Sequence, residues 1–158
     1  MTGYRQVQAM TNRGPMLFVH AALLAACTSP EWTSPELGAL ADAEDLELVM
    51  LYPRPTDGSD FRTSLEYFRE LGRAPIAAAD RVRLVQSLDQ ALRPADPQAR
   101  CFWPRHALTG TTSRGRVEAL ICFECHTLVL PGISLPIDES GSKVIEELRV
   151  AAELPIAD

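Results

Sequence analysis

The sequence predicts an α+β domain: a small antiparallel sheet with a central β-hairpin at about 99–130 and two helices, at about 77–92 and 142–153. Three observations lead there. Apolar runs of strand length flank one well-formed helical stripe, turn-forming residues separate those runs, and a second helical stripe closes the chain. Strands, helix, strands, helix is an order that suits antiparallel pairing better than alternating βαβ units.

Residues 27–45 read as a tether, Thr-Ser-Pro-Glu-Trp-Thr-Ser-Pro-Glu in its first part, running into a short helical turn at Leu37–Asp45. Leu46–Tyr52 is apolar and strand-like, and Pro53-Arg-Pro-Thr-Asp-Gly58 ends it with turn chemistry. Leu65–Leu71 reads as a second strand, with a helix as its alternative. In the first helix Val82, Val85, Leu88 and Leu92 recur at helical spacing, Leu84 and Ala91 widen the stripe, and Pro94 stops it. Two long apolar runs follow, Ala99–Leu108 and Val117–Leu130, joined by Thr109–Arg116, which contains Ser-Arg-Gly; this is the central hairpin. Ile133–Ile137 adds a short strand. Ser142 is placed as the cap of the last helix, with Val144, Ile145, Leu148 and Ala152 on one face. Residues 46–158 are thus expected to be a single domain.

The N-terminus carries a different kind of information. Arg5 and Arg13 are the charges of the first 26 residues, and an apolar stretch follows from Pro15 to Ala26. That stretch has the length of an export-signal core and is too short to span a bilayer. It ends Leu24-Ala25-Ala26-Cys27, which resembles the lipobox of bacterial lipoproteins, cut just before a cysteine that becomes lipidated. The expectation is a signal peptide at residues 1–26, a lipid on Cys27 and a mature protein held in the cell envelope. Thr28 after that cysteine, rather than an acid, tilts the location toward an outer membrane or cell surface. The alternative is an ordinary N-terminal helix that ends in cysteine, which His20 in mid-stretch favours.

Removing residues 1–26 leaves 132 residues and takes away two arginines, so the formal net charge of −6 becomes −8. Such an acidic chain has no electrostatic basis for binding nucleic acid, or for docking on anionic lipid through basic patches. Membrane attachment is therefore expected through the lipid, with a protein or small-molecule partner left open. No G-x-S-x-G, H-E-x-x-H or phosphate-loop pattern occurs in the sequence. The leading expectation is a non-enzymatic binding or structural module.

Chemistry, where the sequence offers any, sits in the hairpin: Cys101-Phe-Trp-Pro-Arg-His106 on one arm, Ile121-Cys-Phe-Glu-Cys-His126 on the other. Cys122, Cys125 and His126 match the C-x-x-C-H pattern of c-type haem attachment, but on a regular strand the two cysteines would point to opposite faces. Cys101, His106, Cys122 and Cys125 form a sulfur-and-imidazole set of the kind that suits zinc or thiol redox chemistry, given a bulge at Phe123-Glu124. The structural alternative takes Cys27 out of the count and leaves three cysteines. The expected result is then one disulfide between the arms, from Cys101 to Cys122 or Cys125, and one buried thiol. Arg105, His106 and Glu124 form a candidate acid–base or anion site; otherwise Arg105 pairs with Glu124 or Glu118 and His106 packs on Trp103.

These two arms also carry a resemblance. Cys-Phe-Trp-Pro-Arg-His followed by Ile-Cys-Phe-Glu-Cys is similar to a family of short bacterial envelope proteins with a C-x-x-P-R-H arm and an I-C-F-E-C arm, usually after a lipoprotein signal. It covers about Leu65 to the C-terminus. The resemblance implies the fold and the envelope location, and it carries no activity. In that family the position of His126 is often another residue, which weighs against haem.

Overall fold

The computed structural model describes residues 31–59, 62–94 and 102–156; the expected signal segment, Cys27 and Cys101 lie outside the described residues. Ser34 opens the first helix, α1 (Pro35–Asp42), where its hydroxyl oxygen accepts the N–H groups of Glu36 and Leu37 and its O–H donates to the Glu36 carboxylate at 2.6 Å. Pro35 sits in the first turn, where its missing N–H costs nothing. Leu37 and Leu40 are fully buried. The tether expected over residues 27–45 therefore ends sooner: Ser34-Pro35 is a helix start, and the domain core begins at Leu37.

Strand β1 (Glu47–Pro55) matches the expected Leu46–Tyr52 run and extends into the proline-rich segment. A 3₁₀ turn at Leu65–Tyr67 leads into β2 (Phe68–Pro75), so the strand expected at Leu65–Leu71 starts and ends later. Helix α2 (Ala78–Ala91) buries Leu84, Val85, Leu88 and Ala91, whereas Val82 is 40% exposed. The apolar stripe is therefore rotated away from Val82. Leu92 is no longer helical and bridges to Ile137.

The hairpin is tighter than its sequence suggests. Strands β3 (His106–Thr112) and β4 (Gly115–Cys122) pair from Thr112↔Gly115 to His106↔Ile121, with Ser113 and Arg114 between them. Most of the expected connection, Thr109–Arg116, is thus strand. Gly115 holds φ of 118°, in the left-handed half of backbone space where glycine is least strained. Nor is Val117–Leu130 one strand: β4 stops at Cys122, a turn covers residues 123–126, and β5 (Thr127–Leu130) returns antiparallel. Strand β6 (Ile133–Pro136) follows. In α3 (Ser142–Ala151) Ser142 is the first residue rather than the cap, and its hydroxyl donates to the Glu139 carbonyl at 2.7 Å.

The α+β expectation holds. Among the described residues six strands form one antiparallel sheet in the order β2-β1-β3-β4-β5-β6. Alternation along the strands sorts side chains into two cores. Leu48, Met50, Leu108, Ala119, Ile121, Leu128 and Leu130 meet the buried faces of α1, α2 and α3, including Ile145 of α3. Val49, Leu51, Ala107, Leu120, Cys122 and Val129 face the other way, under Leu65, Phe68 and Phe102. Gly110 lets the α1–β1 connection close on β3, since a Cβ there would lie 2.9 Å from the Ala43 Cβ and 3.2 Å from the Leu46 Cα.

Candidate functional site

His106, Cys122, Cys125 and His126 lie at one end of β3, β4 and β5, but the pleat divides them. Cys122 is the last residue of β4 and belongs to the core beneath Phe102. His106 pairs with Ile121, the residue before Cys122, so it projects to the opposite, helix-covered face. There its ring meets Phe123 edge-on, with centroids 5.8 Å apart. The expected packing of His106 on Trp103 is replaced by this contact, and Trp103 lies instead under the Arg54 guanidinium at 5.2 Å.

Between β4 and β5 the chain makes a four-residue turn. The His126 N–H donates to the Phe123 carbonyl at 3.0 Å, and His126 takes φ of 50° to return the chain into register. Phe123 is pulled into the helix-side core, while Cys125 packs against the opposite one. Curling the backbone in this way brings the two sulfurs together. Cys122 and Cys125 are joined by a disulfide, with Cα atoms 5.1 Å apart. This corrects two expectations: the segment is not a regular strand that separates the cysteines, and the bridge lies within one turn rather than between the hairpin arms. The Cys125 N–H donates to the Cys122 Sγ at 3.1 Å, and the Thr127 hydroxyl to the Cys125 carbonyl at 2.9 Å.

The disulfide bears on both cofactor readings. A sulfur engaged in it is not available as a thiolate ligand or a thioether, so zinc or haem at Cys122 and Cys125 requires prior reduction. Among the described residues no group of three His, Cys, Asp or Glu side chains stands close enough to hold a metal ion. His106 cannot join Cys122 in one coordination sphere, because the sheet lies between them. Cys101, the fourth member of the proposed set, is outside the described residues.

The polar candidates Arg105, His106 and Glu124 also divide. The Arg105 Nε donates to Glu124 at 3.1 Å, the cross-hairpin pair that the sequence allowed. Exposed pairs of this kind contribute little to stability. His106 stands apart from them. Its Nδ1 is buried with no hydrogen-bond partner among the described residues. Burial pushes its pKa down to about 4; Glu146 and Glu124 pull it up, and Arg105 and Arg149 push it further down. His106 is a half-buried imidazole held neutral beside α3. His126, by contrast, is exposed at the tip of the turn.

A groove of about 420 Å³ runs between α1 and the β3–β4 turn, with Trp32, Asp42, Glu44 and Arg114 among its walls. No spacing pattern links these residues, which only the packing of α1 against the sheet brings together. No family model, curated protein or solved structure matches the chain.

Proposed function

We propose that this chain is a lipid-anchored protein of the bacterial cell envelope whose folded domain acts as a binding or structural module rather than an enzyme. The observation that carries the non-enzymatic reading is the use the fold makes of its reactive side chains. Cys122 and Cys125 bond to each other, Arg105 pairs with Glu124, and His106 is packed neutral against Phe123. Together they do not converge on a point where an acid, a base and a nucleophile would meet one substrate atom.

The anchoring reading rests on the order of Arg13, the apolar stretch and Leu24-Ala25-Ala26-Cys27. It is supported by the placement of the domain, which forms one compact unit over Glu31–Asp158 and reaches its first core leucine at Leu37. The resemblance of the two hairpin arms to envelope lipoproteins points the same way. Among the described residues no helix is long and apolar enough to cross a membrane, so the lipid is the attachment this reading requires. An envelope location also suits a disulfide, which persists where reducing systems are absent.

Metabolic labelling with an alkyne fatty acid in a bacterial host tests the anchor. The full chain is expected to take up label and to fractionate with membranes, and Cys27→Ala to do neither. Equal labelling of both forms, or neither form labelled despite good expression, refutes it.

A further inference from the structure

The two sulfurs of the turn are not equivalent. Cys122 closes β4 inside the core, with its residue 2% exposed. Cys125 sits in the turn, only partly buried, between the exposed residues Glu124 and His126. The bond between them spans three positions in sequence and links residues of one turn. That turn has closures of its own: the His126 N–H donates to the Phe123 carbonyl, the Thr127 hydroxyl donates to the Cys125 carbonyl, and Cys122 pairs with Thr127 across β4 and β5. Opening the sulfur bond therefore removes no long-range constraint from the sheet.

From this asymmetry we infer that Cys122–Cys125 is an exchangeable disulfide, reduced in the folded protein by an external small-molecule thiol that attacks at Cys125. The thiolate form of that thiol bonds to the Cys125 Sγ, which belongs to the less buried residue of the pair. The sulfur–sulfur bond breaks and its electron pair passes to the Cys122 Sγ. That sulfur leaves while accepting the Cys125 N–H, a contact that offsets part of the cost of charge in the core, and it takes up the proton that the incoming thiol gave up on ionising. A second external thiol attacks the outer sulfur of the mixed disulfide and releases the Cys125 thiol. In sum, one protein disulfide and two external thiols give one protein dithiol and one external disulfide. The external thiol is oxidised and the protein reduced, and the reverse sequence reduces an external disulfide while the protein's own bond re-forms. This inference does not depend on the lipid anchor, since it rests on the turn alone.

The experiment uses the full chain and reduced glutathione. Native protein is incubated with glutathione, quenched by alkylation and digested with trypsin, which releases residues 117–143 with both cysteines in one peptide. Reduction is expected to be first order in glutathione with no plateau, and tryptophan fluorescence should keep its folded value throughout. A rate that saturates with thiol at the global unfolding rate overturns the inference, because the bond then opens only in unfolded chains. So does a digest in which this peptide is already a dithiol before any thiol is added. Single variants test the direction of attack under oxidised glutathione: Cys122→Ser, which keeps Cys125, is expected to be glutathionylated roughly ten-fold or more faster than Cys125→Ser, which keeps the buried Cys122. Equal rates in two variants that both retain folded fluorescence overturn the assignment of Cys125. Should either variant fail to fold, the kinetics of the unaltered chain still decide whether exchange occurs in the native state.

Discussion

Lowering the pH from 7.5 to 5 should destabilise this domain through His106 before its carboxylates contribute. The imidazole is half-buried beside α3 with its Nδ1 shut off from solvent, and its pKa falls from 6.5 in an unfolded chain to about 4 in the folded one. Desolvation is the leading cause. The opposing pull of Glu146 is blunted because Arg149 donates to that carboxylate at 2.6 Å. A folded-state pKa below the unfolded one means that the unfolded chain takes up the proton first. The stabilisation is thus fully present above pH 6.5, and it is lost as pH falls through the interval down to about 4. At about 1.4 kcal/mol per pH unit once the unfolded imidazole is mostly protonated, the loss between pH 7.5 and 5 is about 2 kcal/mol. The carboxylates held low by partners, such as Asp57 at about 2 and Glu146 beside Arg149, release their share only at lower pH. Urea titrations at fixed ionic strength, with tryptophan fluorescence as readout, should show the midpoint falling steadily across this interval. His106→Leu, which keeps an apolar volume against Phe123, should flatten that fall. A midpoint that stays level from pH 7.5 to 5, or a fall that persists unchanged in folded His106→Leu protein, refutes the assignment of His106 as a neutral, half-buried group.

Other substitutions probe the remaining structure. Gly110→Ala places a methyl group against Ala43 and the Leu46 backbone and should cost about 1–3 kcal/mol in urea unfolding, because backbone cannot step aside as a flexible side chain would. Leu88→Ala removes a fully buried side chain of α2 and should cost about 2–5 kcal/mol by the same assay. His126→Gly should raise stability by up to about 1 kcal/mol, since it relieves a non-glycine residue at φ of 50° at an exposed position.

How far each of these features could be read in advance depends on where its cause lies. Helix α2 was legible because Leu84, Val85, Leu88 and Ala91 write its buried face into their own spacing, although the spacing alone could not show that Val82 would be left in solvent. Antiparallel pairing of the strands also followed from sequence. Ser34-Pro35 misled because serine and proline suit a tether and a helix start equally well, and only the burial of Leu37 decides between them. The turn at residues 123–126 was hidden for a different reason. Phe123-Glu-Cys-His126 contains no glycine, proline, asparagine or aspartate, and its left-handed position falls to a histidine. Reading through that turn as a strand put Cys122 and Cys125 on opposite faces and sent the bridge toward Cys101. The neutral state of His106 could not be read at all, since its surroundings come from α3, forty residues further along the chain.

The cysteine connectivity tests the account most directly. Digestion of the protein with trypsin, without reduction and with free thiols blocked, gives residues 117–143 as one peptide and Cys101 in the separate peptide 101–105. The structure predicts that the longer peptide appears alone, unblocked and lighter by two hydrogen atoms than its dithiol form, with Cys122 and Cys125 joined. A peptide cross-linked to Cys101, or one carrying two blocked thiols, contradicts it.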